Sequence, residues 1–199
     1  MNELNRLILM IQEQYNIIND KWINNDDYFP LNMKTTRVED VYKNDTFLLY
    51  IFNYRKFIND NIATVLYAIQ QEKFSNIVNT RVKAQNSIQY KIQNYELNHE
   101  NGKIALKKCL NDIFGIRMIF DDEINHDEIK AYIEKNFPTL KCIKSIRGDY
   151  IAVHIYFGND DNKKFQWELQ LWDKKHEKTN LDSHSKYKQE YTKWEQENF

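Results

Sequence analysis

An α+β chain, a mixed β-sheet with flanking helices, is what this sequence predicts, on three observations. Leu4, Leu7, Ile8, Ile11, Tyr15 and Ile18 recur at helical spacing, and so do Phe47, Ile51, Tyr54, Ile58, Ile62, Val65 and Ile69. Beyond residue 112 the period shortens, with an apolar run at 113–120 and alternating stretches at 150–157 and 164–172. The order that results is helices, then β-α-β-β-β, then a helix, which a sheet covered by helices satisfies.

The elements follow in turn. The first stripe predicts an opening amphipathic helix, and residues 24–46, polar and containing Pro30, read as a long connection. The second stripe predicts a longer helix, and together the two suggest a helical N-terminal lobe over 1–75. Residues 76–199 then form one compact unit. Ser87 is placed to cap a third helix whose inner face carries Ile88, Ile92 and Tyr95. After a break at 98–103, residues 104–111 read as a short helix. Residues 113–120 read as a buried strand interrupted by Arg117, and 127–137 as a helix stopped by Pro138. Strands are expected at 140–146, 150–157 and 164–172, followed by a charged, helical 174–198. Parity puts Phe165, Trp167, Leu169 and Leu171 on one face, and Gln166, Glu168, Gln170 and Trp172 on the other. On the neighbouring strand Tyr150, Ala152, His154 and Tyr156 share a face. Pairing of the two strands would gather Glu168, Gln170, His154 and Tyr150 on one floor.

Composition narrows the classes. With 42% hydrophobic and 14% aromatic residues the chain can build a core, which argues against disorder. A net charge of -1 excludes a generally basic nucleic-acid coat. Residues 76–119 nevertheless hold seven Lys and Arg against three acids, so any anion site should be local. Cys109 and Cys142 suggest buried thiols rather than a metal knuckle. The start Met1-Asn2-Glu3-Leu4-Asn5-Arg6 lacks the pattern of a signal peptide, and no apolar run approaches the about 20 residues of a membrane span, so a cytoplasmic protein is expected.

Two acids stand out. Asp112 opens Asp112-Ile113-Phe114-Gly115-Ile116-Arg117, and Glu168 lies in Trp167-Glu168-Leu169-Gln170-Leu171. Upstream runs Arg81-Val82-Lys83-Ala84-Gln85-Asn86-Ser87, with Lys91 one helical turn on. Cations followed by two separated carboxylates suit a metal-dependent reaction on a nucleoside triphosphate. A guanidinium inside an apolar strand, as at Arg117, needs a partner or a ligand. Taken singly, Arg81 and Lys83 would be a solvated helix edge, Glu168 an exposed strand residue and His154 a structural histidine.

Over roughly residues 78–190 these motifs, in this order, resemble the RelA/SpoT synthetase domain. The family's Arg-x-Lys-x-x-x-Ser is matched by Arg81, Lys83 and Ser87, and its Asp-Ile-x-Gly-x-Arg by Asp112, Ile113, Gly115 and Arg117. Its Glu-x-Gln is matched by Glu168 and Gln170, and Tyr-x-Ser-x-His in part by Tyr150 and His154. The terminal His-x-x-Tyr-Lys is matched by His184, Tyr187 and Lys188. The resemblance implies a RelA/SpoT nucleotidyltransferase-like synthetase fold and transfer of the β,γ-pyrophosphate of ATP to a ribose 3′-hydroxyl, with AMP leaving. It implies Mg²⁺ on Asp112 and Glu168, the latter as second ligand, base or both. ATP would contact Arg81, Lys83, Ser87, Lys91 and Arg117, with the two arginines sandwiching the adenine. The acceptor would meet Tyr150, His154, Gln170, Arg147 and Lys144. The family's metal-binding His-Asp hydrolase motif is absent, so synthesis rather than degradation is expected.

The departures gather on the acceptor side. Asp149 stands where the family has Gly, Ala152 where it has Ser, and Trp172-Asp173 where it has Arg-Thr, while Asn94 replaces a common basic residue on the donor side. The connection carrying Lys144 and Arg147 is shorter. These changes favour the toxic branch of the family, whose acceptor is the 3′ CCA end of tRNA and whose partner is an antitoxin protein. Lys144, Arg147, Lys163 and Lys164 would then meet RNA phosphates. A GDP or GTP acceptor, giving the alarmone (p)ppGpp, is the alternative. A catalytically dead nucleotide-sensing or partner-binding domain is the second.

Overall fold

The computed structural model describes residues 2–183 and 185. Its sheet has five strands, β1 (Ile77–Val82), β2 (Phe114–Phe120), β3 (Lys141–Arg147), β4 (Tyr150–Phe157) and β5 (Trp167–Asp173), in the order β1-β2-β5-β4-β3. Only the β2–β5 pairing is parallel, so the sheet is mixed as the sequence predicts. The helices are α1 (Asn2–Ile23), α2 (Val38–Tyr42), α3 (Asp45–Glu72), α4 (Gln85–Asn98), α5 (Leu106–Cys109) and α6 (His126–Asn136). A seventh, α7, spans 174–183.

One face of the sheet is apolar because period-two alternation stacks Phe114, Ile116 and Met118 of β2 beside Trp167, Leu169 and Leu171 of β5. The same row continues to Phe157, Ile155 and Val153 of β4. All nine are fully buried. The stripes of α1 and α3 join them in a single hydrophobic cluster. Aromatic side chains tie the layers together: Tyr54 of α3 stacks on Phe165 at 4.2 Å, and the Trp167 indole N–H donates to the Tyr54 hydroxyl at 3.0 Å. Tyr15 of α1 donates to the Phe165 carbonyl. Gly158, with φ of 73°, follows β4 where a Cβ would collide with the Tyr15 hydroxyl, so no other residue fits there without strain.

The structure departs from the sequence-based expectation in three places. Residues 77–82 form an edge strand, β1, paired with β2, where the sequence reading had assigned no element. Its burial alternates between exposed and half-buried, so it lacks the oily face of the inner strands. Residues 24–46 are not all connection, since α2 forms within them and α3 starts at Asp45 with Asn44 capping it. Ser87 does not cap α4: the helix starts at Gln85 behind Ala84, and Ser87 lies in its first turn. Residues 186–199, including Tyr187 and Lys188, lie outside the described residues, as does His184.

Candidate functional site

The second face of the sheet carries the polar set, and register lines it up. Arg81, Gly115, Glu168 and Tyr156 form one row across β1, β2, β5 and β4. Asn79, Arg117, Gln170 and His154 form the next. With neighbouring strands about 4.8 Å apart, Gly115 leaves bare backbone between Arg81 and Glu168, about 10 Å from one to the other. A Cβ at Gly115 would meet nothing nearer than the Glu168 carbonyl at 4.0 Å.

Above this floor lies a cavity of about 1080 Å³, slightly beyond the roughly 300–1,000 Å³ usual for small-molecule sites. Arg81, Lys83, Ser87, Lys91, Asp112, Arg117, Arg147, Tyr150, His154, Glu168 and Gln170 all line it. Lys144 does not. It pairs in register with Val153 and so takes the helix-covered side of β3, where its ammonium binds Asp127 at 2.7 Å. The acceptor role expected of Lys144 therefore has no geometric basis, since residues three apart on a strand, such as 144 and 147, face opposite ways. Lys164 lies near Asp20 and Asp161. Several lining residues had carried no site expectation, among them Lys34, Lys107, Lys108 and Lys141. Lys107 is a structural staple, donating to the carbonyls of Asn159 and Asp161 and to Asn162.

Helix spacing builds the cationic wall. Ser87, Lys91 and Asn94 run along the cavity side of α4, while Ile88 and Ile92 are buried in the core. Lys83 follows β1 directly, with its backbone fixed on both sides. Its N–H donates to Ile113, and its carbonyl accepts from Arg55 of α3. Its Nζ bonds Asp112 Oδ2 at 2.6 Å, and Lys91 Nζ bonds Oδ1 at 3.0 Å. Burial alone would raise the Asp112 carboxyl, but the two ammoniums reverse this and hold it far below the usual carboxylate range. Burial lowers Lys83 despite Asp112, whereas at Lys91 the attraction of Asp112 outweighs burial and raises it.

The second half of the site is a closed ring of contacts. Arg117 lies 3.5 Å over the Trp172 ring and donates through Nε and Nη2 to Gln170 Oε1 at 3.3 and 3.1 Å. Gln170 Nε2 donates to Glu168 Oε2 at 2.7 Å. His154 Nδ1 lies 2.7 Å from Glu168 Oε1, and its Nε2 lies 2.8 Å from the Tyr150 hydroxyl. An ionised carboxylate only accepts, so Nδ1 carries the proton and, in the neutral ring, Nε2 accepts from Tyr150. Tyr150 meets Trp172 edge-on at 6.1 Å and closes the ring. Burial works to raise Glu168, but the hydrogen bond from His154 leads a set of contacts that lower it below its ordinary value. Tyr150 is pushed up to about 12, first by burial and then by Glu168. At 8% exposure Tyr150 packs with Ile119, Ala152 and Trp172 in a small cluster on the site face. α7 crosses this end, where the Asn180 amide bonds both the N–H and the carbonyl of Ile151 and Ser183 lines the cavity.

Among the described residues no group of three or more His, Cys, Asp or Glu is gathered to hold a metal, and both cysteines are buried and free. Asp112 and Glu168 do not make a resident cage. Both oxygens of Asp112 are taken by Lys83 and Lys91, and both of Glu168 by His154 and Gln170, so a magnesium ion arriving with nucleotide phosphates would have to use the remaining lone pairs of these oxygens, with phosphate and water as its other ligands.

No protein-family model matches the chain, and no curated protein matches it. Among solved structures it is similar to small alarmone synthetase 1 from Bacillus subtilis, at 16% identity over 74% of this chain and 82% of that one, with a TM-score of 0.44. The same enzyme bound to its product pppGpp gives 17% and 0.44, and bound to AMPCPP 18% and 0.35. Among the described residues no helix is long and apolar enough to cross a membrane.

Proposed function

We propose that this chain is a RelA/SpoT-type pyrophosphokinase that moves the β,γ-pyrophosphate of ATP to a ribose 3′-hydroxyl. The observation that carries the reading is the convergence of Asp112, held between Lys83 and Lys91, and Glu168, held between His154 and Gln170, on one cavity. Nine Lys and Arg line that cavity against these two acids, a balance suited to a polyphosphate. Lys83 and Lys91 neutralise charge that shifts among the phosphate oxygens, and Asp112 fixes where their ammoniums point. A magnesium ion held by Asp112 and Glu168 would add electrostatic stabilisation at the same oxygens. Glu168, with its pKa depressed, is better suited to accept a hydrogen bond and to share the metal than to keep a proton, so it orients the attacking hydroxyl.

For the acceptor we favour the tRNA 3′ CCA end. The departures on the acceptor side support this: Asp149, Ala152 and Trp172 stand where the guanosine-nucleotide-using members of the resembled family have Gly, Ser and Arg. The test is incubation of purified protein with γ-labelled ATP and deacylated tRNA, GDP or GTP. Label on tRNA supports the reading; label on guanosine nucleotides alone refutes the tRNA part and leaves the pyrophosphokinase.

A further inference from the structure

Arg117 is anchored by a residue outside the matched motifs. Its guanidinium carbon sits 3.5 Å from the centre of the Trp172 ring, a stacking distance. Two of its donors point in-plane to Gln170 Oε1. The Gln170 amide cannot turn over, because its nitrogen is committed to Glu168, which only accepts. Trp172 is itself fully buried and in edge contact with Tyr150. Indole beneath and amide alongside thus restrain the guanidinium from tilting. One of its faces is covered by Trp172, while the residue still lines the cavity.

We propose that Trp172 is a positioning residue for nucleobase binding, holding the Arg117 plane so that its uncovered face receives the base in a base–guanidinium–indole stack. The inference rests on the nucleotide reading above, and it separates two parts of the ligand. Phosphates are drawn by Lys83 and Lys91, whose ammoniums are held by Asp112, whereas the base depends on a flat guanidinium held by Trp172 and Gln170. Losing the plate should therefore weaken ligands that carry a base and leave ligands of phosphate alone untouched.

The experiment is calorimetric titration of wild type, Trp172→Phe, Trp172→Leu and Arg117→Lys with AMPCPP and, separately, with inorganic tripolyphosphate. The phenyl ring of the first variant keeps a π face, so AMPCPP should bind within about 2-fold of wild type. Trp172→Leu should weaken AMPCPP roughly 3- to 30-fold while leaving tripolyphosphate unchanged. Arg117→Lys keeps charge and leaves Trp172 in place but has no plane, and the same selective loss is expected. It keeps the test open should Trp172→Leu not fold. AMPCPP binding that survives a folded Trp172→Leu or Arg117→Lys protein, or that falls together with tripolyphosphate in both variants, overturns the proposal. A wild type that binds neither ligand overturns the nucleotide reading itself, whereas one that binds both, with variants that do not discriminate, overturns the stack alone.

Discussion

Asp112→Asn should damage stability in a way that its neighbours partly repair. The side chains of Lys83, Lys91 and Asp112 are 8%, 13% and 24% exposed, and the carboxylate accepts from both ammoniums at 2.6 and 3.0 Å. Neutralising it leaves two close cations with little water. Removing one partner of a buried pair costs about 3–5 kcal/mol, and the quarter exposure of Asp112 argues for the lower end, about 3 kcal/mol. For a chain of this size that is a fall in Tm of roughly 6–12 °C. Lys83→Met leaves Asp112 paired with Lys91 and should cost less. The double variant removes the repulsion as well, so it should be more stable than Asp112→Asn alone, with a coupling of about 1–3 kcal/mol. Guanidinium unfolding at pH 7 on the four proteins measures this. Additivity within about 0.5 kcal/mol, or an Asp112→Asn protein as stable as wild type, would show that the three groups do not act as a unit.

Other consequences follow from the same geometry. Asp112 has a depressed folded pKa, so its stabilisation is fully present above the unfolded value of about 3.9 and fades as pH falls below it. Glu168 shifts in the same direction. Unfolding midpoints of wild type should hold from pH 7 to about 5 and then drop, with a smaller drop in Asp112→Asn; equal acid sensitivity would contradict the shift. Lys144→Ala breaks an ion pair with Asp127 on the far face. Stability should change little, because Asp127 is solvent-exposed and water screens the pair, and the KM for ATP and for the acceptor should stay put, a raised acceptor KM being the adverse result. Gly115→Ala has room at Cβ and removes a strand glycine, which should stabilise by about 0.5–1 kcal/mol. Gly115→Leu should keep the fold in circular dichroism yet fill the floor between Arg81 and Glu168, with nucleotide binding lost; full affinity would mean that the ligand never descends to the backbone there.

Much of this was readable from residue order, and the misses have physical causes. Alternation at 150–157 and 167–172 is strict because one face packs on α1 and α3, so parity alone put Glu168, Gln170, His154 and Tyr150 together. The helical stripes of α1 and α3 were legible because each buries a continuous row against a sheet. β1 escaped notice because an edge strand pairs on one side only and tolerates Asn79, Thr80 and Arg81. Lys144 was assigned to the site, together with Arg147, through the family resemblance, although parity, applied to Cys142 and Lys144, sets it on the core side. Ser87 looked like a cap because its residue type favours caps, yet the extended backbone of Ala84 starts the helix. The Arg117–Trp172 stack had no sequence signal, since residues 55 apart meet only through the parallel pairing of β2 and β5.

We propose that two carboxylates and two lysines on one cavity move pyrophosphate rather than phosphate. This is tested most directly by following ATP labelled at the α position, with each acceptor, in wild type and in Glu168→Gln. Wild type should release AMP in step with acceptor modification, and Glu168→Gln should lose activity on the order of 10²–10³ with AMPCPP binding kept. Release of ADP in place of AMP, or unchanged turnover in Glu168→Gln, would contradict it.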